Sequence, residues 1–425
     1  MRNGYEPVSC CGVSYMKNIF IISHNDHAFL RSEILRASER FEKVLVLAPL
    51  DARLIGELEA KGNVDVVPFK RSNLKFAAVP CIRFCLEKEV IKELAEAVKN
   101  GLLSFRYVKE LLFYLAFRSR VIKVAKKYDI KEDQKEWAIL SMWYSADAYA
   151  TYKLGQLCPE TTRISLAHSY EVDPVKSPFI RCLFRGRYHE SFDYVSFISS
   201  QVFETFKYNV TDVMGLSLHN VGIDHLGIDK LAQEPGSLKR REAFRIVSCS
   251  HVVPVKRLNL LFDALDTFAS FPICWTHIGG GSGYESLKKM TESKKNRYLS
   301  VDLRGPMENS AIHRLYATEW FDLFINVSSS EGIPVSIMEA LAYGLPIAAT
   351  DVGGNKEIVS DRFGILLKPN PEASEIWNAV EQVHGWSGEE MAVARASAKT
   401  FFGSNYSSKA VRASFYAKIK NRKFI

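Results

Sequence analysis

Two carboxylates stand eight residues apart in the run Ser328-Ser329-Ser330-Glu331-Gly332-Ile333-Pro334-Val335-Ser336-Ile337-Met338-Glu339. The Gly-x-Pro turn between them opens a helix, because Pro334 suits the first helical position, where a missing N–H is no loss. The helix is expected to run from about Pro334 to Tyr343, with Gly344 and Pro346 ending it. Glu331 then lies just before the N-terminus and Glu339 about one and a half turns inside. The N–H groups of a helix start attract a diphosphate, and Gly332 lets the backbone come close to a ligand. Glu331 is placed to accept hydrogen bonds from sugar hydroxyls and Glu339 from a ribose diol. The chemistry indicated is the binding of a nucleotide-sugar. Spacing alone also leaves open a plain capped helix with Glu339 in solvent.

The elements that must hold these groups read as two α/β units. Short apolar strands are expected at 18–23, 43–47, 64–67, 137–141, 163–167 and 193–198, with helical stretches at 29–41 and about 87–127. A seam rich in glycine follows around 215–243. The rhythm then restarts, with strands at 244–249, 273–278, 323–327 and 347–350 and helices at 258–269 and 284–293. Strands alternating with helices argue for parallel sheets covered on both faces, and ligands of such sheets sit outside the carboxyl ends of the strands. The expected organisation is a disordered extension over 1–15 and an acceptor-side domain over 16–218. A linker over 219–243 leads to a nucleotide-sugar domain over 244–400. A terminal helix over 401–425 then packs back on the first domain.

Composition narrows the class. With 47% hydrophobic and 24% charged residues the chain reads as a soluble globular protein of two domains, and no apolar run approaches the ~20 residues of a membrane span. Eight scattered cysteines without a zinc spacing fit reduced thiols in a cytosolic chain. The net charge of +8 points to an anionic partner. Much of it lies between Lys99 and Lys131, where Arg106, Lys109, Arg118, Arg120, Lys123, Lys126 and Lys127 interleave with Phe105, Tyr107 and Phe113. This is either a core helix with a solvated basic face or a surface for an anionic membrane or lipid-diphosphate acceptor. Nucleic-acid signatures are absent, so no nucleic-acid partner is expected.

The run from Glu331 to Glu339, with Gly332, Ile333, Pro334 and Val335 between, resembles the E-x7-E motif of retaining glycosyltransferase family 4. The following Asp351-Val352-Gly353-Gly354-Asn355-Lys356-Glu357-Ile358 resembles that family's D/x-x-G-G-x-x-E-I segment. The resemblance implies the GT-B fold, two Rossmann-like doubly wound domains facing a cleft. It also implies site residues. Lys256 matches the family's diphosphate-neutralising lysine. His251 stands where an arginine is usual, with Arg257 beside the lysine as a substitute. Gly279 and Gly281 resemble the glycine turn beside the donor, and Gly305 and Met307 the segment against the nucleobase. Leu166-Ala167-His168-Ser169 resembles a turn whose histidine lies near the reacting sugar, with Ser169 in place of glycine. The loop carrying His24, Asp26 and His27 resembles an acceptor-side segment of polysaccharide-assembly enzymes.

The expectation is therefore a metal-independent hexosyltransferase without cofactor, since no D-x-D triplet occurs. Its donor is a UDP- or GDP-sugar, and its acceptor a glycan or lipid-linked chain. The setting is cytoplasmic, peripheral on the inner face of the cell membrane. Other readings left open are a degenerate GT-B scaffold that binds nucleotide-sugar or membrane, and a GT-B sugar phosphorylase or epimerase.

Overall fold

The computed structural model describes residues 16–25, 28–70, 87–172, 183–213, 215, 217, 219–234, 238–422 and 424. Residues 1–15, with the expected N-terminal extension, and Asp26 and His27 lie outside the described residues.

The first sheet contains β1 (Asn18–Ile22), β2 (Lys43–Ala48), β3 (Val64–Pro68), β4 (Trp137–Ser141), β5 (Thr162–Ala167), β6 (Tyr194–Phe197) and β7 (Val221–Ile223). All pair in parallel, in the order β3-β2-β1-β4-β5-β6-β7. The strands β1, β2 and β4 are continuous apolar runs because helices cover both of their faces. The second sheet contains β8 (Phe244–Cys249), β9 (Ile273–Ile278), β10 (Leu299–Gly305), β11 (Leu323–Asn326), β12 (Ile347–Thr350) and β13 (Gly364–Leu367). Its order is β10-β9-β8-β11-β12-β13, again parallel. Each sheet reverses direction once, between β1 and β4 and between β8 and β11. A crevice opens at such a reversal because the flanking loops leave on opposite faces.

Three differences from the sequence reading have physical reasons. Segment 219–243, read as linker, contributes β7 to the edge of the first sheet, and only three residues pair there. Strand β10 was not anticipated, because an edge strand carries charge and here bears Asp302 and Arg304 among half-buried positions. The helix after Pro334 spans Val335–Ala342, with Pro334 as its cap in extended conformation (φ −74°, ψ 117°) rather than inside it.

The chain end returns to the first domain. Helix Gly388–Asn405 stops at Tyr406, and helix Ser408–Asn421 then lies against helix Ala28–Ser38. Phe415, Tyr416 and Ile419 enter the first domain's core. Arg412 Nε sits 2.7 Å from Glu33 Oε1 and Arg412 Nη2 donates to Glu33 Oε2 at 2.9 Å, with both side chains fully buried. Tyr416 donates to the same carboxylate at 2.7 Å. Removing one member of a buried pair leaves the other charge without compensation. Arg412→Ala is expected to cost about 3–5 kcal/mol, read from urea unfolding of the whole chain.

Candidate functional site

Loops leaving the carboxyl ends of β8, β9, β10 and β11 enclose a cavity of about 720 Å³. Ser250, His251 and Lys256 come from the first loop and Gly279–Gly281 from the second. Pro306, Met307 and Asn309 come from the third, and Glu331, Ile333–Ser336 and Glu339 from the fourth. The glycine turn is sterically required. Gly279 takes φ +141°, and a Cβ on it would fall 1.9 Å from the Ser250 carbonyl oxygen. Val252 N–H donates to Gly280 O at 2.8 Å, locking the first two loops together.

Lys256 ends a short 3-10 turn, Pro254–Lys256, and its Nζ lies 2.6 Å from Glu331 Oε1. Asn326 Nδ2 donates to the same oxygen at 3.1 Å. The ammonium and carboxylate therefore meet at the cavity wall, beside the first turn of helix Val335–Ala342. Arg257, next in sequence, turns away. It adopts a left-handed backbone (φ +47°) and donates to the carbonyls of Val327, Ser328 and Pro369 and to Asn370 Oδ1. It braces the end of β11 and does not line the cavity, contrary to the expectation. Gly305 and Gly332 also lie outside the lining. Gly305 turns the chain at φ +65° after β10, and Gly332 faces the other domain.

Glu339 is buried, not solvated as the plain capped helix would have it, and borders the cavity. Asn309 Nδ2 donates to its Oε1. His313 Nε2 lies 3.8 Å from that oxygen. Leu231 N–H points at His313 Nδ1 (3.3 Å), so Nδ1 accepts and the ring proton sits on Nε2, toward Glu339. Burial pushes the Glu339 carboxyl up to about 7, against the hydrogen bond from Asn309. Burial, reinforced by Lys230, pushes His313 down to about 4, so it stays neutral. Asn309 and His313 escaped the sequence reading. Their signal is an N-x3-H spacing at the start of helix Asn309–Thr318, which puts both on one face.

The first domain presents rings across from this cavity. His168 follows β5 and stacks on Phe29 (5.2 Å) and lies against Trp143 (4.3 Å). Its Nε2–H donates to Met142 O at 2.9 Å, which commits that nitrogen to the backbone. Glu171 Oε2 accepts from the His168 backbone N–H, and burial pushes this carboxyl up to about 8. His24 follows β1, with Nδ1 2.7 Å from Asp147 Oδ1 and Nε2 2.8 Å from Asn25 Nδ2. Asp147 is fully buried and burial raises its pKa, with His24 opposing. Nothing in the local sequence announces Asp147, because its partner lies 123 residues away. His24 and His168 both contact Trp143, so they share one wall. The two domains meet at Gly332, where an added Cβ would lie 3.3 Å from Ser169 Cβ. Glu331 and the His168 turn thus face one cleft.

The basic stretch divides. Lys99, Arg106, Lys109, Lys123, Lys126, Lys127 and Lys131 are exposed. Arg118 is buried and forked onto Glu87 at 2.8 and 3.0 Å, and Arg120 donates to Pro68 O. Neither of these two belongs to a basic surface. Phe105 is 76% exposed, near exposed Leu103 and Val108, and Lys109 Nζ lies 4.2 Å from its ring centroid. Among the described residues no helix is long and apolar enough to cross a membrane.

Residues 229–396 match the family model described as glycosyl transferases group 1. The chain is 27% identical over 157 residues to the O-antigen biosynthesis glycosyltransferase WbnH of Escherichia coli, covering 36% of this chain and 43% of that protein. It is 28% identical over 175 residues to the amylovoran biosynthesis glycosyltransferase AmsK of Erwinia amylovora, covering 38% and 42%. It spans less than half the length of these relatives. Likeness of fold extends further. The crystal structure of Anabaena Alr3699/HepE in complex with UDP matches with a TM-score of 0.63 at 15% identity, covering 95% of this chain and 99% of that one. The two domains have the GT-B arrangement, and the segment that carries the cavity is the one that matches the group 1 glycosyl transferases.

Proposed function

We propose that this chain is a retaining glycosyltransferase. It moves a hexose from a UDP- or GDP-sugar to a hydroxyl of a glycan or lipid-linked acceptor in cell-surface polysaccharide synthesis. The observation that carries the reading is the Lys256–Glu331 pair beside a helix start, with Glu339 buried eight residues on in the same cavity. The matched family and the polysaccharide enzymes among the relatives support it, as does the UDP held by the Anabaena protein.

In this reading the donor diphosphate lies against Lys256 and the first-turn N–H groups of helix Val335–Ala342. The helix dipole and the ammonium take up the charge that develops as the bond from the anomeric carbon to the phosphate oxygen breaks. Glu331 accepts from hydroxyls of the donor hexose, and Glu339 accepts from the ribose diol. The acceptor hydroxyl attacks on the face the diphosphate leaves, its proton passes to a phosphate oxygen, and configuration at the anomeric carbon is retained. His168, Ser169 and the His24 wall bound the acceptor side. Contact between the domains shields the sugar from water.

Purified protein is expected to release UDP or GDP from a sugar donor, equally with and without EDTA. Glu331→Ala and Lys256→Ala are each expected to lower kcat by about 10²–10³-fold, measured as nucleotide release. Unchanged turnover in either variant removes that residue from the mechanism. Failure of the wild type to bind any nucleotide-sugar sinks the reading.

Glu339 makes nucleotide affinity depend on pH. Its carboxyl sits near 7, above its ordinary 4.5. The folded protein therefore holds a proton that the unfolded chain has already lost, and this contribution to stability fades as pH rises through 7. Ribose hydroxyls donating to the carboxylate favour the ionised form, so binding releases that proton. Nucleotide affinity is expected to rise between about pH 6 and 8, with proton release seen by calorimetry in buffers of different ionisation enthalpy. Both effects disappear in Glu339→Gln.

The exposed Phe105, Leu103 and Val108, with Lys109 over the Phe105 ring and exposed Lys99 and Arg106 nearby in sequence, support an anionic membrane as the surface on which a lipid-linked acceptor is met. Binding to phosphatidylglycerol vesicles is expected to exceed binding to phosphatidylcholine vesicles and to fall with salt. Phe105→Ala is expected to weaken it by about 1.5–3 kcal/mol if the whole ring inserts, read by co-sedimentation.

A further inference from the structure

The segment after β12 makes a contact that the donor cavity does not use. Glu357 lies in the one-turn helix Asn355–Ile358 of the second domain, directly after the Gly353-Gly354 turn. Its carboxylate reaches across the cleft to helix Ser200–Lys207 of the first domain. Ser200 N–H donates to Oε2 at 3.2 Å and Gln201 N–H to Oε1 at 3.1 Å. Ser199 Oγ accepts the next N–H, from Val202, at 3.1 Å. The first turn of this helix is therefore capped jointly, by a serine of its own domain and a carboxylate of the other. A carboxylate at a helix N-terminus is favoured by both the unsatisfied donors and the dipole.

The same turn holds the Glu331 loop. Gly354 N–H donates to Gly332 O at 2.6 Å. A Cβ on Gly353 would fall 2.0 Å from Glu331 O. Gly332 in turn faces Ser169 and Ile198, and Ile198 immediately precedes the capping serine. On the far side, Tyr406 donates to the backbone carbonyl of Glu357 at 3.1 Å. Tyr406 stands where the chain begins its return to the first domain. Glu357 is thus tied to the Glu331 loop through the two glycines, to the first domain through its carboxylate, and to the chain crossover through Tyr406.

We propose that Glu357 is a positioning residue for sugar transfer. Its carboxylate, seated on the Ser200 and Gln201 N–H groups, fixes the corner at which the Glu331 loop meets the His168–Ser169 turn. It touches neither donor nor acceptor. It acts through the angle between the domains, and so through the distance between the sugar held at Glu331 and the acceptor wall. This role rests on the transferase reading above. It predicts a split that loss of stability alone does not produce. The nucleotide half of the donor is held by the second domain, so its affinity does not depend on the corner. The transfer step needs both domains in register, and misplacement by about 1 Å costs on the order of 10²-fold in rate.

Glu357→Ala and Glu357→Gln test it, with wild type assayed beside them. Nucleotide affinity is expected to stay within about twofold while kcat falls roughly tenfold to hundredfold in Glu357→Ala. Glu357→Gln, which keeps one acceptor oxygen but no charge, is expected to fall between that variant and wild type. It carries the test if the alanine variant does not fold. Amide exchange at Ser200 and Gln201 is expected to rise in the same order. An unchanged kcat in both variants overturns the proposal, and so does a loss of nucleotide affinity that matches the loss of kcat. A wild type that releases nucleotide from no sugar donor overturns the transferase reading itself, and this role with it.

Discussion

The structure depends on one close backbone approach. The Gly353-Gly354 turn lies directly against Glu331 and Gly332, near enough that a Cβ at Gly353 or Gly354 would strike a carbonyl oxygen at 2.0 or 2.4 Å. Side chains at either position would push the loop after β11 off its seat. Because the turn is bare, the hydrogen bond from Gly354 to Gly332 forms, and Glu331 is held at the cavity wall while Gly332 faces Ser169. Orientation of a carboxylate by backbone packing loses little entropy on ligand binding, since the loop is ordered beforehand. The two loops come from neighbouring strands, β11 and β12, so their spacing is set by the sheet.

Electrostatics within the cavity divide along the same helix. At its start Glu331 faces the Lys256 ammonium at 2.6 Å. Eight residues on, Glu339 is buried with an amide for a partner and a neutral imidazole at 3.8 Å, and its proton is held to about pH 7. Two glutamates of one motif thus have different surroundings: one meets a cation at the cavity wall, and the other is buried beside neutral partners, which favours its protonated form. Leu231, through its N–H, fixes the tautomer of His313 and keeps a donor turned to Glu339. A ligand that supplies hydroxyl donors there completes the solvation of the carboxylate, which is the physical basis for reading the site as a diol site.

Much of the fold was legible because buried parallel strands are apolar throughout. Asn18–Ile22, Lys43–Ala48, Trp137–Ser141 and Ile347–Thr350 lie within a residue or two of where their composition puts them. Edge strands Val221–Ile223 and Leu299–Gly305 were not legible, since water on one side permits charge and glycine. The cavity was legible where local sequence sets geometry, as at Glu331, Pro334 and Gly279. It was not legible where the partner is remote. Arg257 looks like a second cation for a phosphate until the carbonyls 70 and 71 residues away are in place to receive it. Arg118 looks like part of a basic face until Glu87 is in place, and Asp147 is silent until β1 brings His24 against it.

The chain crossover explains how a two-domain cleft keeps its alignment. Helix Ser408–Asn421 fills part of the first domain's core, so that core is incomplete without a segment synthesised after the whole second domain. The fully buried Arg412–Glu33 pair anchors it. Such a pair adds little net stability over an apolar packing, but a misregistered helix would leave two buried charges without partners. Its contribution is therefore to exclude other seatings of the helix. Ser408 N–H donates to Ile228 O and Ile228 N–H donates to Tyr406 O, so the two strands of chain that connect the domains are paired to each other at the crossing. With the crossover paired there and Tyr406 bonded to Glu357, the connection between the domains is tied to the segment that holds the Glu331 loop.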